Sequence, residues 1–174
     1  MKKPKVLFIC VHNSGRSQIA EAYLIKLSGA EFDVESAGLE PATEINPLVV
    51  EVMKEEGIDI SGNQTQSVFE LFKTGRLYDH VITVCDGASE AKCPVFAGIT
   101  KRWNWPFPDP AAVVGSNEEK LQKVREIRDM IKEKLIDSLE AGFNKRFAMG
   151  DKIHAFGNIF NMVTNSFTTS GSKN

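Results

Sequence analysis

The chain has 174 residues and a formal net charge of −2 at pH 7, with 21 basic and 23 acidic side chains. This length supports one domain with a substantial core, and the balanced charge argues against nucleic acid or an anionic membrane surface as the main partner. No apolar run approaches the roughly 20 residues of a spanning helix, and the short apolar stretch near the N-terminus lacks a signal-peptide cleavage site. We therefore expect a cytoplasmic protein.

The first predicted elements are a strand, a loop and a helix. Val6 to Ile9 is short, apolar and β-branched, as in a buried strand. The stretch Cys10 to Ser17 follows it, and helical spacing then continues from Ser17 to about Leu27. Apolar and polar residues alternate from Phe32 to Ser36, which predicts a second strand closed by Ala37 and Gly38.

The middle of the chain continues the alternation of strands and helices. Asn46 and Pro47 predict a helix start, with Asn as the N-cap and Pro in the first turn. The short run Ile58 to Ile60 fits either a strand or a connector, and Val68 to Phe72 fits a short helix. His80 to Val84 predicts a third strand, followed by a loop from Asp86 to Gly115.

The last predicted helix of the domain begins at a capping box, Ser116 to Glu119. We expect it to end near Gly142 and to bury a stripe formed by Leu121, Val124, Ile127, Ile131, Leu135 and Leu139. We therefore divide the chain into a domain over 1–142 and a C-terminal extension over 143–174. The extension is expected to be an amphipathic helix followed by a flexible end, with a partner-binding segment as the alternative.

Strands that alternate with helices predict an α/β fold with a parallel sheet. Ligands of such sheets bind at the carboxyl ends of the strands. Cys10 ends the first strand and Cys85 ends the third, so both thiols are expected to face the same crevice.

The loop from Cys10 to Ser17 is the candidate active site. Backbone amides at the start of a helix, together with the helix dipole, attract an anion and stabilise a thiolate. The planar guanidinium of Arg16 suits a tetrahedral oxyanion. We interpret the loop as a site where Cys10 attacks a bound oxyanion, and the alternative is that Cys10 is an ordinary core residue.

The three cysteines, Cys10, Cys85 and Cys93, do not suit a structural disulfide framework, because their number is odd and small. They do suit one reactive thiol with two helpers. Zinc binding is disfavoured because Cys85 and Cys93 are eight residues apart and the histidines are scattered, at His12, His80 and His154. We expect no bound metal.

The loop resembles the phosphate loop of low-molecular-weight protein tyrosine phosphatases, and is closer still to the arsenate reductases that share their fold, because Gln18 follows Arg16 and Ser17. The similarity spans about residues 4–140. It includes Glu35–Gly38, Asn46–Pro47, Gly57–Ser61, Val84–Cys85, Cys93–Pro94 and Trp105–Pro110. The resemblance implies a three-layer α/β fold whose central parallel four-stranded sheet is flanked by helices.

The resemblance further implies an oxidoreductase of arsenic resistance, which reduces arsenate to arsenite through a relay of Cys10, Cys85 and Cys93. Asp109 would act as general acid, and the relay would leave a redox-active disulfide that external thioredoxin, or a similar thiol reductant, resets. The protein would be a monomer without a bound cofactor. The residues that would bind the substrate are Val11, His12, Asn13, Ser14, Gly15, Arg16 and Ser17.

Two other functions remain open from the sequence. A low-molecular-weight tyrosine phosphatase would need the same loop but neither Cys85 nor Cys93, and many such phosphatases carry aromatic residues where this chain has Ala111 and Ala112. A redox-sensing or oxyanion-binding module without turnover is the third possibility. The chain departs from the reductase pattern at Gly15, where many relatives have a cysteine.

Overall fold

The structure is a computed structural model, and it describes residues 2–29, 31–98 and 100–141. The chain divides into two compact units, residues 1–137 and residues 138–174. The predicted C-terminal extension, 143–174, lies outside the described residues, so its helix and its boundary with the domain stay predictions. No helix in the described part of the chain is long and apolar enough to cross a membrane.

A parallel four-stranded sheet forms the centre of the first unit. Its strands are β1 (Lys5–Cys10), β2 (Asp33–Gly38), β3 (His80–Thr83) and β4 (Lys101–Asn104). Their order across the sheet is β2-β1-β3-β4, and all three pairings are parallel. The predicted fold class is confirmed, and Cys10 lies at the carboxyl end of a central strand, next to Gly38 of β2.

The helices are α1 (Arg16–Ser28), α2 (Pro47–Glu55), α3 (Val68–Lys73), α4 (Gly87–Glu90) and α5 (Asn117–Glu140), with a 3-10 turn at Pro110–Ala112. Two of them, α2 and α5, begin at the caps that the sequence predicts. The Asn46 side chain accepts a hydrogen bond from the Leu48 amide at 3.0 Å. The amide of Ser116 donates to the Glu119 carboxylate at 2.7 Å, and the Glu119 amide donates to the Ser116 hydroxyl at 3.3 Å, so the capping box is confirmed.

Apolar side chains cover both faces of the sheet and so produce three layers. Leu7 and Ile9 on one face of β1 belong to a buried cluster with Leu71 of α3 and with Cys93 and Phe96. The next residue in the strand alternation, Phe8, points to the other face. Its ring lies 6.3 Å from the ring of Trp105, over which the amine of Lys134 from α5 is placed at 5.6 Å.

The prediction of a continuous loop over Asp86 to Gly115 was wrong. This segment contains α4, the edge strand β4 and the 3-10 turn. Strand β4 escapes a search for apolar runs because it is short and three of its four side chains are exposed. The ambiguous Ile58 to Ile60 run is a connector.

The buried stripe of α5 is also slightly different from the prediction. Leu139 is half-buried, and Arg128 joins the buried set by donating a hydrogen bond to the Val52 carbonyl of α2 at 2.9 Å. Leu121, Val124, Ile127, Ile131 and Leu135 are buried as expected.

Candidate active site

The phosphate-type loop connects the end of β1 to the start of α1. Its carbonyl groups are held by the segment that follows β2. The Glu40 amide donates to the carbonyl of Val11 at 2.8 Å, and the Asn46 amide donates to the carbonyl of Ser14 at 2.9 Å. These bonds fix the backbone of the loop at both of its ends, so its geometry is set before any anion binds.

The Cys10 thiol lies at the base of this loop, with 2% of the residue exposed. Its sulfur accepts a hydrogen bond from the Asn13 amide at 3.1 Å, and the Ser17 hydroxyl oxygen lies 3.0 Å away. The Ser17 oxygen already accepts from the Asn13 side-chain amide at 2.8 Å, which leaves the hydroxyl proton for the sulfur. These two donors fix the position of the sulfur at the base of the loop.

The Asn13 side chain connects the loop to β2 and to the segment before α3. Asn13 is fully buried, and its φ of 51° is the only positive φ of a non-glycine residue in the described part of the chain. The side-chain amide donates to the Ser17 and Ser36 hydroxyls, both at 2.8 Å, and its oxygen accepts from the Gln66 amide at 2.9 Å. Gln66 could not be found from sequence as a partner of Asn13, because it contributes only its main-chain amide.

Gly38 of β2 provides the space that the loop needs. A Cβ atom at Gly38 would lie 2.9 Å from both the Asn13 amide nitrogen and the Val11 carbonyl oxygen. Both are backbone atoms that the hydrogen bonds above hold in place, so a side chain at position 38 would push the loop away from the sheet. Glycine is therefore required here for a close approach of two backbones.

Arg16 and Asp109 form an ion pair at the mouth of the loop. An Arg16 nitrogen donates to the Asp109 carboxylate at 3.0 Å, and the second terminal nitrogen donates to the Phe107 carbonyl at 3.1 Å. The Arg16 side chain is 5% exposed, whereas Asp109 is 34% exposed. Phe107 could not be found from sequence because it contributes only a main-chain oxygen. The two hydrogen bonds fix the orientation of the Arg16 guanidinium plane and keep the Asp109 carboxylate beside it.

Cys85 and Cys93 are both buried free thiols. Cys85 follows β3, the neighbour of β1, so it lies at the same edge of the sheet as Cys10. Burial raises the pKa of Cys85 to about 12, with the negative charge of Cys93 adding to the shift and the positive charge of Arg16 opposing it. Burial also raises the pKa of Cys93 to about 11. Both helpers are therefore protonated thiols near neutral pH.

The raised pKa of Cys85 predicts a loss of stability in alkaline solution. As the pH rises above the ordinary thiol pKa of about 8.5, the unfolded chain releases this proton first, so the folded state binds more protons and the free energy of unfolding falls. At about pH 11 this loss amounts to about 3 kcal/mol for Cys85, since about 2.5 pH units at about 1.4 kcal/mol each separate pH 11 from the ordinary thiol pKa. Urea unfolding at about pH 8 and about pH 11 should show a smaller decrease for Cys85→Ala than for the wild type. Equal decreases would contradict the buried, protonated thiol.

Other polar residues near the loop bond to one another. The Ser36 hydroxyl donates to the Glu21 carboxylate at 2.5 Å, and burial raises the pKa of Glu21. His12 is exposed, with a ring nitrogen 3.1 Å from the Glu40 carbonyl oxygen. Within residues 2–29, 31–98 and 100–141, no group of three or more His, Cys, Asp or Glu side chains gathers in a way that could hold a metal ion.

Comparison with known proteins identifies the family. Residues 5–146 match the model of the low molecular weight phosphotyrosine protein phosphatase family. The chain belongs to this family. Within it, the chain is 40% identical over 142 residues to an arsenate reductase of Bacillus subtilis, a match that covers 82% of this chain and 99% of that protein. It is 42% identical over 134 residues to arsenate reductase 2 of Staphylococcus saprophyticus, covering 76% and 97% of the two chains.

Solved structures of similar proteins agree with this placement. An arsenate reductase in an oxidized state superposes with a TM-score of 0.66 at 28% identity, covering 79% of this chain and 97% of that one. A thioredoxin-dependent arsenate reductase of Corynebacterium glutamicum gives 0.55 at 33% identity, over 78% and 63% of the chains. A low molecular weight protein tyrosine phosphatase from T. tengcongensis, at 24% identity and 0.61, covers 80% and 99%, and it shares the fold.

Proposed function

We propose that this protein is an arsenate reductase that works by a thiol relay. The observation that carries the proposal is the position of a second thiol, Cys85. It follows the carboxyl end of β3, which pairs with the strand that ends at Cys10. At this position the charges of Arg16 and Cys10 affect the pKa of Cys85. Phosphate-ester hydrolysis needs only the loop thiol, whereas reduction of an oxyanion needs thiols that supply electrons. The arsenate reductases among its relatives support the same assignment.

In the first step, arsenate would bind to the amides of residues 11–17 and to the Arg16 guanidinium. The Cys10 thiolate attacks arsenic, and a bond between sulfur and arsenic forms while a bond between arsenic and oxygen breaks. Asp109, whose carboxylate bonds Arg16 at 3.0 Å in the free protein, passes a proton of the bound dihydrogen arsenate to the departing oxygen, which leaves as water. The product is a covalent adduct of arsenic(V) on Cys10.

In the second step, Cys85 attacks the Cys10 sulfur, and its proton passes to an oxygen of the departing arsenite. The sulfur–arsenic bond breaks with its electron pair on arsenic, so arsenic(V) becomes arsenic(III) and arsenite leaves. The two sulfurs are oxidised together to a Cys10–Cys85 disulfide. Cys93 then attacks Cys85, which releases the Cys10 thiolate and leaves a Cys85–Cys93 disulfide.

An external dithiol would reduce this last disulfide and complete the cycle. Thioredoxin is the proposed reductant, because one relative of this fold is named thioredoxin-dependent. The segment between the two cysteines is suited to rearrangement. Its helix α4 is a single turn, and it is held at its start by the Asp86 side chain, which accepts from the Ser89 amide at 2.9 Å.

The alternative function is that of a phosphatase on aryl phosphates. The loop and the Arg16–Asp109 pair would serve both reactions, because arsenate and phosphate have the same shape and charge. The residues after Asp109 and Pro110 are the exposed Ala111 and Ala112, which offer no aromatic surface to a phosphotyrosine ring. This favours a small inorganic substrate.

The test is arsenite production from arsenate with thioredoxin, thioredoxin reductase and NADPH, on the wild type and on Cys10→Ser. We expect turnover in the wild type and a loss of about 10³-fold or more in the variant, since the nucleophile is removed. Hydrolysis of p-nitrophenyl phosphate by the wild type without any arsenite would instead assign the phosphatase function. If arsenite forms only with glutathione and glutaredoxin, the protein is still an arsenate reductase, and its reductant is glutaredoxin instead of thioredoxin.

A further inference from the structure

Gly15 contacts the loop that carries Asp109 more closely than any side chain would allow. A Cβ atom at Gly15 would lie 2.7 Å from Cγ and 3.7 Å from Cδ of Pro110. Real Cβ atoms essentially never approach another heavy atom below 3.0 Å. The absence of a side chain at position 15 therefore allows the ring of Pro110 to lie directly on the phosphate-type loop.

Hydrogen bonds hold the backbone at Gly15 in this contact. The added Cβ atom would also lie 3.7 Å from the fully buried Val49 of α2, which is ordinary contact. The Gly15 carbonyl accepts from the Ile19 amide at 3.0 Å, and the neighbouring Ser14 carbonyl accepts from the Asn46 amide at 2.9 Å. A side chain at position 15 would thus displace Pro110 and not the loop.

Movement of Pro110 would carry Asp109 with it. The pyrrolidine ring is closed onto the backbone nitrogen, so it can change its pucker but cannot rotate aside as a long side chain would. Asp109 directly precedes it, and its carboxylate also accepts from the Ala111 amide at 3.0 Å, which ties it to the same turn. Restoring ordinary contact requires a shift of about 1 Å, a displacement that can cost about 10²-fold in rate at a catalytic group.

We propose that Gly15 is a positioning residue for the general acid, which acts by letting Pro110 seat the Asp109 carboxyl against Arg16. The inference rests on the proposed function for its effect on rate. Its effect on geometry is independent of that function, because the Arg16–Asp109 contact exists without substrate.

Two readouts test the proposal, each on Gly15→Ala, Pro110→Ala, the double variant and Asp109→Asn. The first is single-turnover arsenite release from reduced protein. We expect Gly15→Ala to be about 10- to 100-fold slower, and the double variant to recover about tenfold, because alanine at 110 has no Cγ. Added to Asp109→Asn, Gly15→Ala should cost less than about threefold more, since both act on the same group.

The second readout does not need turnover. The NMR signal of the Arg16 side-chain Nε–H, assigned with Arg16→Lys, should move in Gly15→Ala toward its position in Asp109→Asn and return in the double variant. Gly62→Ala is the matched control, because a Cβ atom there would meet nothing within 4 Å. An Arg16 signal in Gly15→Ala that stays at its wild-type position, or a shift that persists in the double variant, overturns the proposal. A wild type that releases no arsenite refutes the proposed function, and the NMR result still decides the role of Gly15.

Discussion

Replacing Cys85 with serine should abolish arsenite release and leave the loop chemistry intact. Serine cannot form a disulfide with Cys10, and formation of that disulfide is the step that reduces arsenic. The reaction therefore stops at the Cys10 adduct. Hydrolysis of p-nitrophenyl phosphate, if the wild type shows it, should change by less than about threefold, because only Cys10 is its nucleophile. The measurements are arsenite per protein molecule and the mass of the trapped species.

Cys93→Ser is the matched comparison for this prediction. Here Cys85 can still attack Cys10, so each molecule should release one arsenite and then stop as a Cys10–Cys85 disulfide, visible by peptide mapping without reduction. Cys85→Ala repeats the Cys85→Ser experiment without introducing a hydroxyl group into the core, so it separates loss of the thiol from disturbance of the fold. Sustained turnover in either Cys85 variant would show that the relay does not pass through this thiol.

Replacing Arg16 with lysine should lower kcat/KM for arsenate by about 10³-fold, even though the charge is kept. The buried guanidinium bonds the Phe107 carbonyl and the Asp109 carboxylate with two different nitrogens, and a lysine amine cannot reproduce this planar fork. Loss of the fork both weakens anion binding and releases Asp109 from its position.

The assay for Arg16→Lys combines steady-state kinetics with calorimetric binding of inorganic phosphate. The control is Arg76→Lys, which alters an ion pair with Glu35 on a surface-exposed side chain. We expect this control to remain within about twofold of the wild type, because exposed ion pairs contribute little. A loss of less than about tenfold in Arg16→Lys would show that the guanidinium does not orient the oxyanion.

Strands β1 to β3, helices α1, α2, α3 and α5, and the candidate active-site loop could be predicted because their signals are local. Val6 to Ile9 is an uninterrupted apolar run. Asn46–Pro47 and the Ser116–Glu119 capping box each predict a helix start, and neither signal is longer than four residues. The placement of Cys10 between β1 and α1 follows directly from such signals.

The parts that could not be predicted depend on contacts between distant segments. Strand β4 has no apolar run because it lies at the edge of the sheet, and its pairing with β3 is specified by packing and by the backbone. Gln66 reaches Asn13 with its amide, and Phe107 reaches Arg16 with its carbonyl, so neither side chain carries a signal for its role. The meeting of Gly15 and Pro110 likewise requires the folded chain.

The burial of Cys85 and Cys93 also has a consequence for oxidative damage. Peroxides and alkylating agents react with thiolates, and these two side chains are 0% and 7% exposed with raised pKa values. In the proposed relay, Cys85 and Cys93 would therefore hold the two electrons that one arsenate requires in a form that diffusible oxidants reach slowly. Cys10 lacks this protection in the proposed mechanism, because a thiol that attacks arsenate is also a nucleophile toward peroxides and alkylating agents.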